Sequence, residues 1–149
     1  MKKIRFTVAI SAYNIETYVK RAIDSVLNQT FTNYELLVID DCSKDNTVQI
    51  IEEALSGKGI ILKTIKNSGT AAASRNIAID NAQGEYLLFL DGDDELYSKD
   101  TLKEVDELIK DNTYDIVYLG YENVGKSENY YRISNKENST RKARLLCDE

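Results

Sequence analysis

The chain has no histidine, no proline and only two cysteines among its 149 residues. Without imidazole, Ser-His-Asp and Cys-His catalysis, the HExxH metalloprotease and the usual His/Cys zinc sites are all excluded. Cys42 and Cys147 form no CxxC unit and make no disulfide framework. No run approaches the roughly 18 to 20 apolar residues that a membrane span needs. The stretch from Phe6 to Ala12, behind Lys2, Lys3 and Arg5, reads as too short for a signal peptide. The net charge of −6, with no basic stripe against it, argues against a nucleic-acid partner. The missing proline, against a usual ~5%, carries no functional reading. Chemistry in this chain must rest on carboxylates, backbone amides, hydroxyls, lysine or arginine.

The length suits one good-sized domain, and the 42% apolar and 30% charged fractions are those of a globular protein. Apolar runs at Arg5–Ile10, Glu35–Ile39, Ile60–Ile65, Tyr86–Leu90 and Asp115–Leu119 read as five strands. Runs apolar on both faces fit a parallel sheet covered by helices. Between them, Val19, Ala22, Ile23, Val26 and Leu27 form one helical stripe. Val48, Ile51 and Leu55 form a second, with Ser43 as N-cap and Gly57 as stop. A third helix is expected over Thr70–Ala82, ended by Gly84, and a fourth from Ser98 through Leu102, Val105, Leu108 and Ile109. Strand and helix alternate, which predicts a mostly parallel α/β sheet of order 3-2-1-4 with helices on both faces and right-handed crossovers. Beyond Gly120 the pattern weakens to a turn at Gly125–Asn129, a short strand at Tyr130–Ile133 and a helix starting at Arg141.

Two acidic groups fall where parallel strands end: Asp40-Asp41-Cys42-Ser43 and Asp91-Gly92-Asp93-Asp94-Glu95. In open α/β sheets ligands bind outside the carboxyl ends of the strands, where strand order reverses. In the order 3-2-1-4, both groups and the end of strand one (Ser11-Ala12-Tyr13-Asn14) line one crevice. The alternative for Asp41 is a plain turn residue, and Ser43 reads as a cap in either case. Four carboxylates within Asp91–Glu95 repel one another, a cost accepted where a cation compensates. Asp91-x-Asp93 offers hard oxygen ligands without imidazole, which favours Mg²⁺ or Mn²⁺, and Gly92 allows a sharp turn. No GxGxxG or GxxxxGK[ST] loop is present. Asn67-Ser68-Gly69-Thr70 precedes the third helix and offers free N–H groups to an anion. Arg75 is either a surface charge or an anion partner in the crevice, and Lys66 reads as surface.

Taken together, these landmarks resemble the N-terminal, nucleotide-sugar-binding half of a family 2 glycosyltransferase of the GT-A fold. The resemblance is carried by Val8–Asn14, Ala22–Thr30, Tyr34–Thr47, Asn67-Ser68-Gly69, Ala73–Asn76, Ala82–Tyr86 and Phe89–Asp94, in the family's order over residues 4–120. It implies a Rossmann-like sheet and an inverting transfer of a sugar from a nucleoside-diphosphate donor, UDP favoured, to a saccharide or lipid-linked acceptor. It further implies that Ala12 and Tyr13 flank the base and that Asp40 accepts the uracil N3–H. Asp91 then faces the ribose, Asp93 ligates Mn²⁺ or Mg²⁺ with Asp91 and Asp94 beside it, and Arg75 approaches the sugar or phosphates. The family usually has proline where this chain has Ser11. The catalytic base belongs to a later segment, so residues 1–149 are expected to be a donor-binding domain of a longer cytoplasmic enzyme. Any association with the inner membrane face would come through other segments.

Three rival readings stand against it, two of them enzymes and one a binding module. A metal-dependent nucleotidyltransferase needs a glycine-rich, basic loop after strand one, and Ser11–Tyr18 is neither. A nucleotide-binding module without catalysis, such as a receiver, needs an acceptor Asp at the end of strand three, where none stands. An aspartyl phosphatase places its nucleophile on the first strand, whereas Asp91 ends the fourth.

Overall fold

The computed structural model describes residues 3–64, 66–111, 114–117, 119 and 120. Its elements run β1 (Phe6–Ala12), α1 (Val19–Leu27), β2 (Tyr34–Asp40), α2 (Thr47–Leu55), β3 (Ile60–Lys63), α3 (Ala71–Asn81), β4 (Tyr86–Asp91) and α4 (Thr101–Ile109). The four strands form one parallel sheet in the order β3-β2-β1-β4, as the apolar runs predict. Residues 1–105 make one compact unit and residues from Asp106 onward a second. The candidate site lies wholly in the first.

Side chains alternate across the sheet. Ala9, Leu37 and Ile39 pack with Ala78 of α3 on one face, with Leu62, Ile77, Leu87 and Phe89 half-buried around them. Val8, Ile10, Leu36 and Val38 take the opposite face and are buried, as is the α1 stripe Val19, Ala22, Ile23 and Val26. Thr30 and Gln29, at the end of α1, hold the approach to α4. The Thr30 N–H donates to Lys99 O, the Gln29 amide donates to Ser98 O, and Gln29 Oε1 accepts the Leu102 N–H.

Several expectations shift. Ser43 does not cap α2, because the helix starts four residues later. The Thr47 N–H donates to Asp45 Oδ1, and Ser43 Oγ instead accepts the Asn14 N–H. α2 does stop where expected, with Ser56 (φ 45°) and Gly57 (φ 80°) both left-handed. Gly84 lies beyond the end of α3 and has a different role. A Cβ there would sit 2.4 Å from Thr7 N, so glycine permits the chain to cross against β1. Leu108 is exposed while Leu102, Val105 and Ile109 are buried, since position 108 falls off their common helical face. Of the expected strand Asp115–Leu119, residues 115–117 and 119 are described and none is in a strand. An apolar run becomes a strand only where its backbone pairs, and β4 pairs only with β1 among the described residues. The turn, short strand and helix expected after Gly120 lie outside the described residues.

Candidate functional site

Register brings the strand ends together. Ala12 is opposite Asp40, and Ser11 is opposite Asp91. At this carboxyl edge lies a cavity of about 290 Å³. Ser11, Ala12 and Tyr13 line it from β1, Asp41 from the end of β2 and Asp91 from the end of β4. Asn67, Gly69 and the first turn of α3, as far as Ser74, close the remaining side. No side chain caps α3, so the positive end of its dipole and its first N–H groups face a site able to take an anion. An open groove of about 500 Å³, lined by Lys20, Arg21 and Asp24 of α1 and by Glu95–Lys99, touches no strand end.

The two adjacent aspartates serve different partners: Asp40 ends β2, and Asp41, the next residue, donates its N–H to Ala12 O. Asp41 belongs to the α3 side and to the cavity wall. Its carboxylate accepts from the Thr64 hydroxyl (2.9 Å), the Asn67 amide (3.0 Å), the Ser68 N–H (3.0 and 3.1 Å) and the Ser68 hydroxyl (2.7 Å). Burial alone would raise its pKa, but the Ser68 hydroxyl and N–H and the Thr64 hydroxyl outweigh it and hold the group below its ordinary value. Asp40, expected to meet the base, is 2% exposed and does not line the cavity. Its Oδ2 accepts the Ser43 N–H at 3.1 Å, and its Oδ1 is buried with no hydrogen-bond partner.

The loop carrying Tyr13 is tied to the loop after β2 by reciprocal bonds. The N–H groups of Asn14, Ile15 and Glu16 donate to Ser43 Oγ, Thr47 Oγ1 and Asp45 Oδ2. In return the Lys44 and Asn46 N–H groups donate to Asn14 Oδ1 and Glu16 Oε2. Asn14 (φ 50°) and Cys42 (φ 64°) take left-handed backbone here. Tyr13, 42% exposed, is thus presented on a fixed loop with its ring available for stacking.

The acidic loop leaves β4 at Asp91. Gly92 is buried, and its N–H donates to Ser11 O. A Cβ there would lie 2.3 Å from Ile15 Cδ1 and 2.6 Å from Ser11 O, so close approach, not a turn, demands glycine. Arg75 Nη2 lies 3.5 Å from Asp91 Oδ1, and its guanidinium stands 5.8 Å from the Phe89 ring centre. Arg75 Nε is buried and unpartnered. Asp93 and Asp94 are exposed and do not line the cavity. Partial burial, then the Asp93 and Asp91 charges, raise the Asp94 pKa against the pull of Arg21. Among the described residues no three acidic, cysteine or histidine groups converge as a metal cage. The donor set still fits a divalent cation shared with phosphates, because Mg²⁺-type ions commonly take one or two carboxylates plus waters and substrate oxygens.

Of the site residues expected from sequence, the cavity gathers Ala12, Tyr13 and Asp91, with Arg75 on Asp91. Asp93 and Asp94 stand on the adjoining loop. Asp41, Asn67 and Ser74 join the wall. Asp41 carried the signal of its neighbour, and Asn67 that of the helix start, while Ser74 was marked only as part of the stretch Ala73–Asn76. Among the described residues no helix is long and apolar enough to cross a membrane.

Known proteins resemble this chain in sequence and in fold. The model of the family described as glycosyl transferase family 2 matches residues 7–148. The poly(ribitol-phosphate) beta-N-acetylglucosaminyltransferase TarS of Staphylococcus aureus is 34% identical over 119 residues, covering 78% of this chain and 21% of TarS. An uncharacterized glycosyltransferase of Rickettsia conorii, RC0461, is 39% identical over 127 residues, covering 85% of this chain and 21% of its own length. The crystal structure of S. aureus TarS 1–349 with UDP superposes with a TM-score of 0.72 at 34% identity, over 83% of this chain and 38% of that one. The same fragment has been solved with UDP-GlcNAc. The chain thus spans about a fifth of these two curated relatives.

Proposed function

We propose, from the premise that the chain belongs to glycosyl transferase family 2, that it is the donor-binding part of an inverting glycosyltransferase. It takes a UDP-sugar and serves transfer to a saccharide or lipid-linked acceptor. The observation that carries this reading is the cavity at the carboxyl edge, where β1, β2, β4 and the uncapped start of α3 meet. TarS, 34% identical, was solved with UDP and with UDP-GlcNAc, which supports a uridine donor.

The uracil lies between Ala12 and Tyr13. Its N3–H is flanked by two carbonyl acceptors, so its complement is an acceptor between donors. Asp41 supplies that acceptor from the cavity wall, its carboxylate fixed in place by the Asn67 amide and the Ser68 N–H that donate to it. Asp41 therefore takes the contact that the resemblance implied for Asp40, and Asp40 supports the turn beneath it through the Ser43 N–H. Asp91 faces the ribose. Arg75, joined to Asp91 by a half-exposed pair that costs little to break, turns to the diphosphate or sugar. The α3 N-terminus adds its dipole to the same anion.

Asp93, with Asp91 and Asp94 beside it, would hold the divalent cation. When bound, that cation neutralises charge developing on the leaving diphosphate. Four carboxylates within Asp91–Glu95 support a compensating cation at this loop. The catalytic base is assigned to none of these residues.

Isothermal titration with UDP and CDP, with and without Mn²⁺, tests the reading. The chain should prefer UDP, because cytosine has no N3–H, and Mn²⁺ should tighten binding. Asp93→Asn should abolish the Mn²⁺ effect and leave metal-free UDP binding intact. Equal affinity for UDP and CDP, or no binding of either, would refute the donor reading.

A further inference from the structure

Among the described residues, three hydrogen bonds hold the turn at Asp91–Asp94 in shape. Two are backbone bonds: the Gly92 N–H donates to Ser11 O and the Asp94 N–H to Asp91 O, both at 3.0 Å. The third comes from a side chain 72 positions away. Arg21 Nη2 donates to the carbonyl oxygen of Asp93 at 2.8 Å. Arg21 stands on α1 outside the buried stripe, and its guanidinium lies 5.8 Å from the ring centre of Tyr18. Its Nε is 3.6 Å from Glu95 Oε2. One planar guanidinium therefore spans the backbone at Asp93 and the carboxylate two residues on. A lysine ammonium, a single point charge, cannot reproduce that fork.

The loop needs such a brace. Asp91, Asp93, Asp94 and Glu95 put four carboxylates within five residues, and Arg21 sets one guanidinium against this run, on Asp93 O and beside Glu95. Arg75 serves Asp91 at the other end of the segment, on the opposite side of the sheet's edge. Between them, only Arg21 touches the residue on which the metal reading depends.

We infer that Arg21 is a positioning residue for the metal-binding loop, fixing the backbone at Asp93 so that the Asp93 carboxylate is presented to the cation and diphosphate. The inference rests on the metal role proposed for Asp93. Two effects of Arg21 oppose each other there. Its positive charge repels an incoming cation, while its hydrogen bond preorganises a ligand. The charge is half exposed, tied to two oxygens and screened by solvent, so preorganisation prevails.

The test is the ratio of UDP dissociation constants measured in EDTA and in Mn²⁺, for the unsubstituted chain, Arg21→Met and Arg21→Lys. Losing one exposed, charge-assisted hydrogen bond should reduce that ratio about 3- to 10-fold in Arg21→Met. Arg21→Lys keeps the charge and loses the fork, so its ratio should fall close to that of Arg21→Met. Metal-free UDP affinity should stay the same in all three, which a general loss of structure would not allow. Tighter Mn²⁺-dependent binding in Arg21→Met would show that repulsion prevails, and an unchanged ratio would show that the brace is idle. Either overturns the inference, as would an equal fall in metal-free affinity. If the unsubstituted chain binds UDP with no response to Mn²⁺, the metal reading fails and takes this inference with it.

Discussion

Replacing Asp41 by alanine should separate the protein's stability from its ligand contacts more clearly than any other single change. The carboxylate gathers four donor groups from three residues: the Thr64 hydroxyl, the Asn67 amide, and the N–H and hydroxyl of Ser68. A hydrogen bond to a charged group contributes roughly 1.5 to 3 kcal/mol, yet simple addition overshoots, because the freed side-chain donors turn to water. The unavoidable losses are the buried charge's own satisfied bonds and the fixed course of residues 66–68, about 2 to 4 kcal/mol in all. For a chain of this size that is a fall in Tm of about 5 to 15 °C. The pH dependence follows from the sign of the shift. The folded pKa of Asp41 lies below the ordinary 3.8, so its contribution is complete above the unfolded value and is lost as pH falls through the folded one. Urea unfolding of the unsubstituted chain and Asp41→Ala, followed by circular dichroism from pH 7 to pH 3, should give two stabilities that converge below about pH 4. Using the difference removes Asp45, whose pKa is lowered in the same direction by Thr47 and Glu16 against its burial. A loss under about 1 kcal/mol, or a difference that does not narrow in acid, would refute the claim that Asp41 clasps the cavity wall.

Two further outcomes follow from the geometry. The Asp94 pKa is raised, so its ionised form opposes folding above the folded pKa, and the penalty vanishes below 3.8. Asp94→Asn should therefore raise Tm at pH 7 in metal-free buffer, with the gain fading toward pH 3; a lower Tm at pH 7 would contradict the repulsion. Gly84→Ala and Gly57→Ala should differ sharply in thermal unfolding. The first forces a Cβ to 2.4 Å from Thr7 N, an overpacking cost of about 1 to 3 kcal/mol or more, whereas the second meets nothing within 4 Å and costs only backbone strain of about 1 kcal/mol. Equal effects would mean that the crossing at β1 is looser than these distances require.

The strand order was legible because β1 and β2 are apolar on both faces, a pattern that only a central position in a covered sheet satisfies. The same property hid which member of the Asp40-Asp41 pair lines the cavity. In a strand with one polar face, alternation would announce which aspartate looks toward the ligand. In Leu36-Leu37-Val38-Ile39 both faces are apolar, and the sequence marks neither. The deciding fact is tertiary: Ala78 of α3 packs on Ala9, Leu37 and Ile39, and so defines the face on which the cavity opens. From there, period two carries Leu37 and Ile39 on to Asp41. Register carries Ile39 across to Ser11 and Ser11 across to Asp91. All three cavity residues thus follow from one helix contact. That contact was itself hard to read, because α3 buries only Ser74 and Ala78 and shows no broad apolar stripe. Small residues let the helix lie close to the sheet, and its uncapped first turn reaches the strand ends for the same reason. The weakness of α3 as a pattern and its usefulness as a wall have one cause.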